Sequence, residues 1–193
     1  MNAELSERQK EIIKASLELI SENGIQALTI KNLSKKIGLV ESAIYRHFES
    51  KTQILVSILN SIEMQAMPSE LPKNIGVILL IEQNIRKRFE TFAANPALVS
   101  VVFAEELFQN EETLVNKTKE KIKQGKANMI ALIEKGQQEG EIRKDIDSEY
   151  FAILITGTIR MFVKHWKMSD YSFDLIQKGN ELLETLKLVL KPV

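Results

Sequence analysis

An all-α protein of about nine helices is what three features of this chain predict. Hydrophobic residues recur at helical spacing along nearly the whole length, and alternating strand patterns are hard to find. Only 4 prolines and 8 glycines punctuate 193 residues rich in Leu, Ile, Lys and Glu, a helix-former's composition. The breakers that do occur stand beside residues suited to start or stop helices, such as Asn23-Gly24, Gly38 and Asn95-Pro96. With 44% hydrophobic and 27% charged residues, the chain has the balance of an ordinary globular protein, long enough for one large domain or two small ones.

Ser6 caps a first helix whose inward positions are Ile12, Ile13, Ser16, Leu19 and Ile20, and Asn23-Gly24 ends it. Thr29 caps a short second helix carrying Ile30, Leu33 and Ile37, which Gly38 breaks. A third segment, Val40 to Phe48, follows at once. Glu49-Ser50-Lys51 leads into a fourth helix with Ile54, Leu55, Ile58, Leu59 and Ile62, stopping near Met67 because Pro68 disfavours helix before it. Met67 to Pro72 reads as a connector. A fifth helix runs from about Asn74 to Ala94 on Ile78, Ile81, Ile85, Phe89 and Phe92. Asn95-Pro96 starts a sixth. A lysine-rich seventh spans roughly Thr113 to Gln138 and ends at Glu139-Gly140-Glu141. The eighth, Glu149 to Lys164, is apolar nearly all round and so is expected to be covered on more than one side. The ninth, Phe173 to Leu190, carries a regular leucine stripe opposite Lys178, Glu181, Glu184 and Lys187.

Several chemistries are excluded at this level. There are 0 cysteines, so disulfides, thiolate zinc sites and cysteine nucleophiles are ruled out. The 2 histidines, His47 and His165, are too far apart in sequence to form a helical metal pair. No glycine loop for phosphate and no nucleophile elbow is present, so neither a cofactor nor an enzyme is expected. Glu105-Glu106 and Glu111-Glu112 are neighbours on a helix, do not face each other, and read as solvated charge. Lys117, Lys119, Lys121, Lys123 and Lys126 read as a solvated face too. The N-terminus is acidic and lacks the regions of a signal peptide. No apolar run approaches the ~18 residues of a membrane span. A cytoplasmic protein without a membrane partner is expected.

Charge placement singles out one stretch. The whole chain balances 26 basic against 26 acidic residues, so no global field attracts nucleic acid. Residues 29–52 nevertheless carry Lys31, Lys35, Lys36, Arg46 and Lys51 against Glu41 and Glu49, a local +3. Residues 1–28 carry Arg8, Lys10 and Lys14 against Glu4, Glu7, Glu11, Glu18 and Glu22, a local −2. Thr29 to Phe48 has the layout of a helix-turn-helix. Small Ser34 lets the helices approach, Gly38 makes the turn, and Leu39 and Ile44 pin the second helix, which can then enter the major groove of DNA.

Arg8 to Leu55, about a quarter of the chain, resembles the N-terminal domain of the TetR family of bacterial transcriptional regulators. The matching residues are Ile12 or Ile13, Ala15, Gly24, Thr29, Leu33, Gly38, then Ile44-Tyr45-Arg46-His47-Phe48 and Ser50-Lys51. The resemblance implies that Tyr45, His47, Thr29 and Lys51 touch DNA phosphates, the last two at helix N-termini where free N–H groups favour an anion. It implies that Glu41, Ser42, Ala43 and Arg46 face or flank base edges, with Lys31 in the same basic surface. The chain departs from the family at Val40, where serine is common, so the recognition helix lacks a hydroxyl cap worth typically ~1 kcal/mol.

Beyond that domain the resemblance is one of plan, including Gly140-Glu141-Ile142-Arg143 and Asp145-Ile146-Asp147 and two final apolar helices. It implies a ligand cavity in the C-terminal domain, for which Met64, Met67, Phe89, Phe92, Phe103, Met129, Phe151 and Ile155 are candidate lining residues. Surplus apolar surface on the last two helices predicts a homodimer through a four-helix bundle. Its expected contacts are Leu154, Gly157, Met161, Ile176, Leu183 and Leu186, with Gly157 permitting close approach. Arg160, inside an apolar helix, requires a partner or a wet edge. The resulting reading is a repressor with a helix-turn-helix domain at residues 1–50 and a ligand-sensing, dimerising domain at 51–193. It binds a palindromic operator in double-stranded DNA and is released by a small apolar or amphipathic effector. The alternatives are a ligand-independent DNA-binding dimer of the same fold, whose C-terminal domain only dimerises or docks another protein, and an enzyme or lipid carrier on a helical bundle.

Overall fold

The computed structural model describes residues 5–61, 75–104 and 112–192, and these contain nine α-helices and one short 3-10 turn. The expected helix stop at Met67-Pro68, the connector, the start near Asn74, the glutamate pairs at 105–106 and 111–112 and the pocket residues Met64 and Met67 fall at least partly outside the described residues. The chain forms two compact units, one of residues 1–62 and 95–118, the other of residues 63–94 and 119–193.

In the first unit, α1 (Glu7–Asn23) begins with a reciprocal cap. Gln9 N donates to Ser6 Oγ at 3.2 Å and Ser6 N donates to Gln9 Oε1 at 3.0 Å. Its inward stripe holds Ile12, Ile13, Ala15, Ser16, Leu19 and Ile20. Gly24, at φ 77°, stops the helix. The turn Ile25–Ala27 then leads to α2 (Ile30–Ile37), where Thr29 Oγ1 accepts from Asn32 N at 3.1 Å. Gly38 adopts the left-handed conformation at φ 74°, ψ 30°, and Leu39 N reaches back to Ser34 O at 2.9 Å, closing the helix end.

Helix α3 (Glu41–Tyr45) is shorter than the expected Val40 to Phe48, because His47 N and Phe48 N both converge on Ile44 O and tighten the last turn. Val40 stands at its N-cap with no side-chain hydrogen bond. Ser50 Oγ accepts from Gln53 N at the start of α4 (Lys51–Ser61). Ile54, Leu55, Ile58 and Leu59 of α4 are buried. Helix α6 (Ala97–Val102) packs on both α1 and α4, so α4 shares a core with the helix-turn-helix although it lies beyond residue 50.

The second unit holds α5 (Val77–Ala94), α7 (Glu112–Glu139) from Lys119 onward, α8 (Ser148–Met168) and α9 (Leu175–Leu190). Asp174 accepts from Ile176 N and Gln177 N, both at 2.9 Å, which sets the start of α9 after the expected Phe173. Helices α5 and α9 form the main packed pair. Gly179 of α9 lies against Phe89 of α5, whose ring also meets Phe162 edge-on at 5.7 Å. Glu82 of α5 pairs with Lys187 of α9 at 3.1 Å and with Arg86 at 2.6 Å. The Lys187 hydrogen bond, then that of Arg86, holds the Glu82 carboxyl below its usual range.

The Gly140 to Asp147 phrase ties the ends of three helices together. Gly140 turns at φ 77°. Glu141 Oε2 accepts from Ile78 N in the first turn of α5 at 3.3 Å. Gln137 Nε2 donates to Arg143 O and Ile146 O, and Arg143 N donates to Leu190 O at 2.9 Å. Ile142 packs over Gly136.

The close approach of α9 to α5 sets a stability test. A Cβ at position 179 would stand 2.5 Å from Phe89 Cε2. Gly179→Ala therefore forces Phe89, itself fully buried, to shift, and is expected to destabilise the protein by about 1–3 kcal/mol in urea unfolding despite alanine's better helix propensity.

Candidate functional site

The +3 stretch folds into a helix pair with a split between anchoring and exposed residues. Leu33, Ile44 and Phe48 are buried, and Ser34, 6% exposed, donates its hydroxyl to Lys31 O. Gln9 Nε2 of α1 donates to His47 O at 3.3 Å, fixing the end of α3. On the outer side, Thr29, Lys31, Glu41, Ser42, Tyr45 and Arg46 are exposed, while Ala43, His47 and Lys51 are half-buried. All nine residues expected at the DNA surface therefore retain solvent access. Thr29 Oγ1 is occupied as an acceptor by the α2 cap, leaving its O–H to donate.

Charge is distributed less evenly than composition implies. Lys36 hydrogen-bonds Glu22 at 2.8 Å and approaches Glu18 at 3.6 Å, both on α1. The Glu22 hydrogen bond raises the Lys36 pKa. Its charge thus serves the packing of α2 on α1. Lys31, Lys35, Arg46 and Lys51 form no ion pair among the described residues, and they carry the positive field of this face. Lys35, counted in the basic stretch, and Val40, 69% exposed at the start of α3, join the face although neither was among the expected DNA contacts. Their signal was position, one turn on from Lys31 and just ahead of Glu41.

The expected pocket residues divide. Phe89, Phe92, Met129, Phe151 and Ile155 are buried in the second unit. Phe103 ends α6 in the first unit. Between α5, α8 and α9 lies a cavity of about 10 Å³, lined by Ile78, Ile81, Ile85, Ile155, Leu183 and Leu186 together with Glu82, Lys187 and Leu190. That is room for about one water. Of the expected lining set, Ile155 alone reaches it.

The expected dimer residues divide too. Leu154, Gly157, Met161 and Ile176 are exposed. With Tyr150, Ile153 and Met168 the first three make an outward apolar stripe along α8, opposite the buried Phe151, Ala152, Ile155, Ile159, Val163 and Trp166. Within this chain α8 is covered on one side, and the surplus apolar surface expected of it is this exposed stripe. No atom lies within 4 Å of a Cβ placed on Gly157, so the close approach inside this chain belongs to Gly179. Leu183 and Leu186, 2% and 6% exposed, face inward on the α5 side. The outward apolar residues of α9 are Ile176, Leu188 and Val189.

Comparison with known proteins agrees with this geometry. Residues 12–58 match the family described as bacterial regulatory proteins, tetR family. Residues 77–190 match the YsiA-like protein C-terminal region. The fatty acid metabolism regulator protein of Bacillus subtilis (strain 168) is 29% identical over 180 residues, covering 91% of this chain and 92% of that protein. The HTH-type transcriptional repressor BepR of Brucella suis biovar 1 (strain 1330) is 26% identical, covering 95% of this chain and 92% of that one. Among solved structures, the transcriptional regulator FadR from Bacillus subtilis in complex with stearoyl-CoA superposes with a TM-score of 0.78 at 28% identity, covering 94% of this chain and 98% of that one.

Proposed function

From the premise that this chain belongs to the TetR family of bacterial regulatory proteins, and is a DNA-binding transcriptional regulator rather than an enzyme, we propose that it is a repressor released from its operator by an acyl-chain effector. Residues 1 to about 50 read the DNA, and residues 51–193 sense the effector and dimerise. The observation that carries the DNA-reading half is the outward set of Tyr45, Lys31, Arg46 and Lys51 on a helix pair whose inner residues are buried. Likeness to a fatty acid metabolism regulator, and to a FadR solved with stearoyl-CoA, supports the effector class.

In this reading the protein works in the bacterial cytoplasm as a homodimer on a palindromic site. The α8 stripe of Tyr150, Leu154, Gly157 and Met161 meets its own copy across a two-fold axis. Acyl-chain binding in the second domain favours a geometry in which the two α3 helices no longer match the spacing of successive major grooves. The effector acts only through its preference for that geometry. The small size of the cavity between α5, α8 and α9, about 10 Å³, supports a second reading, in which the C-terminal domain dimerises or docks another protein and senses nothing.

One titration separates the two. Fluorescence anisotropy on DNA from upstream of the protein's own gene, with a scrambled duplex as control, is expected to show specific binding that weakens with salt. Saturating stearoyl-CoA is expected to weaken it about 10- to 100-fold, the usual range of allosteric coupling. Specific DNA binding left untouched by an acyl-CoA that demonstrably binds the protein selects the second reading.

A further inference from the structure

Among the arginines, Arg88 of α5 stands apart. Arg8, Arg86 and Arg143 pair with Glu11, Glu82 and Asp145, Arg160 has a partner, and Arg46 is exposed on the DNA face. Arg88 is half-buried and makes no ion pair or hydrogen bond among the described residues. Burial alone lowers its pKa from the ordinary arginine value, with no neighbouring charge acting on it.

Its position on the helix is informative. Arg88 falls one turn before Phe92, one turn after Ile85 and two turns after Ile81, all of them buried. Phe89 and Glu82 face α9, through Gly179 and Lys187 respectively. At ~100° per residue, Arg88 stands well round the helix from Phe89. Ile81 and Ile85 line the small cavity against α9, so Arg88 lies at the flank of that face, on the side of Phe92. The next polar group on that stripe, Asn84, is neutral, and its amide donates to Leu80 O. A guanidinium held among apolar side chains without an anion opposes folding, and a planar donor fork is suited to carboxylate or phosphate.

We propose that Arg88 anchors the anionic group of an apolar-chain ligand, its guanidinium pairing with a carboxylate or phosphate while Phe92 borders the chain. This rests on the reading of the second domain as an acyl-chain sensor and adds to it the residue that selects anions. The ion pair formed on binding removes the unpaired charge, so ligand affinity is gained at the expense of stability in the unliganded protein.

Isothermal titration calorimetry and thermal unfolding of the full chain test this with palmitate, palmitoyl-CoA and uncharged hexadecanol. Arg88→Met is expected to weaken binding of an anionic ligand at least 30-fold, leave hexadecanol binding within threefold, and raise the unliganded melting temperature. Arg88→Lys is expected to fall between. Loss with palmitate identifies a carboxylate as the anchored group, and loss with palmitoyl-CoA alone identifies the phosphates. Wild-type binding of the anions that Arg88→Met leaves unchanged overturns the anchor while keeping the sensor reading. Failure of the wild-type protein to bind any of the three overturns both. A melting temperature that drops in Arg88→Met, with equal loss for hexadecanol and the anions, makes Arg88 a packing residue and overturns the anchor as well.

Discussion

Alanine at both Tyr45 and Lys51 is expected to lower operator affinity at least 100-fold while leaving the fold intact. Each side chain is proposed to contact a phosphate, and hydrogen bonds to charged groups are worth about 1.5–3 kcal/mol. On a palindrome bound by a dimer each contact is lost twice, so even the low end of that range for one residue amounts to about two orders of magnitude or slightly more. Tyr45 is 49% exposed and Lys51 half-buried without an ion-pair partner among the described residues, so neither substitution empties the core. The salt dependence carries an independent signature. Removing Lys51 from both subunits is expected to flatten the slope of log K against log salt by about 2. Anisotropy across a salt series measures both quantities. Unchanged affinity and slope in a folded double variant would remove this surface from the DNA interface. Lys36→Ala is the contrasting control, since that lysine is bound to Glu22 and Glu18; its loss should barely change the slope.

The second large effect is expected from Met161→Glu. Met161 is 63% exposed at the middle of the α8 stripe, so a carboxylate there costs the isolated chain little. Across the proposed two-fold axis the same carboxylate would meet apolar surface and approach its own copy, and both are unfavourable. Sedimentation is expected to show a folded monomer where the unsubstituted protein is a dimer. Operator affinity should fall by two orders of magnitude or more, because the half-sites are no longer engaged as a linked pair. A Met161→Glu protein that remains dimeric and binds DNA normally would place the interface elsewhere. Leu183→Glu makes the comparison sharp. Leu183 is 2% exposed between α9 and α5, so that substitution is expected to unfold the second unit instead of merely separating subunits.

The contrast between Met161 and Leu183 shows where the sequence became ambiguous. Both lie on regular apolar stripes of late helices, and spacing identifies a stripe without stating what it faces. Helix α9 turns its leucine stripe inward onto α5, while α8 has apolar residues on both sides and buries one of them. The two glycines behave alike in this respect. Gly157 stands in an apolar run and Gly179 between Lys178 and Asn180, yet of the two it is Gly179 that meets a ring, that of Phe89. Lys36 and Lys35 are adjacent, and only their directions from α2 decide that one pairs with α1 and the other faces solvent. Arg88 was passed over for the same reason, since Arg86 two residues earlier has Glu82 one turn away and Arg88 has no such neighbour.

What this sequence determined by itself is whatever rests on contacts within a few residues. Ser6 with Gln9, Thr29 with Asn32, the positive φ at Gly24, Gly38 and Gly140, and the Asp147 and Asp174 caps all follow from local stereochemistry and local hydrogen bonds. So do the existence and order of the helices, and the Ile44 to Lys51 run that carries the family resemblance. Only the tertiary structure decided which apolar face is core and which is left exposed, which lysine is neutralised, and that Glu141 reaches the start of α5. Those outcomes depend on residues far apart in the chain. Helical periodicity records that a side chain avoids water, but the partner that shields it is chosen by packing.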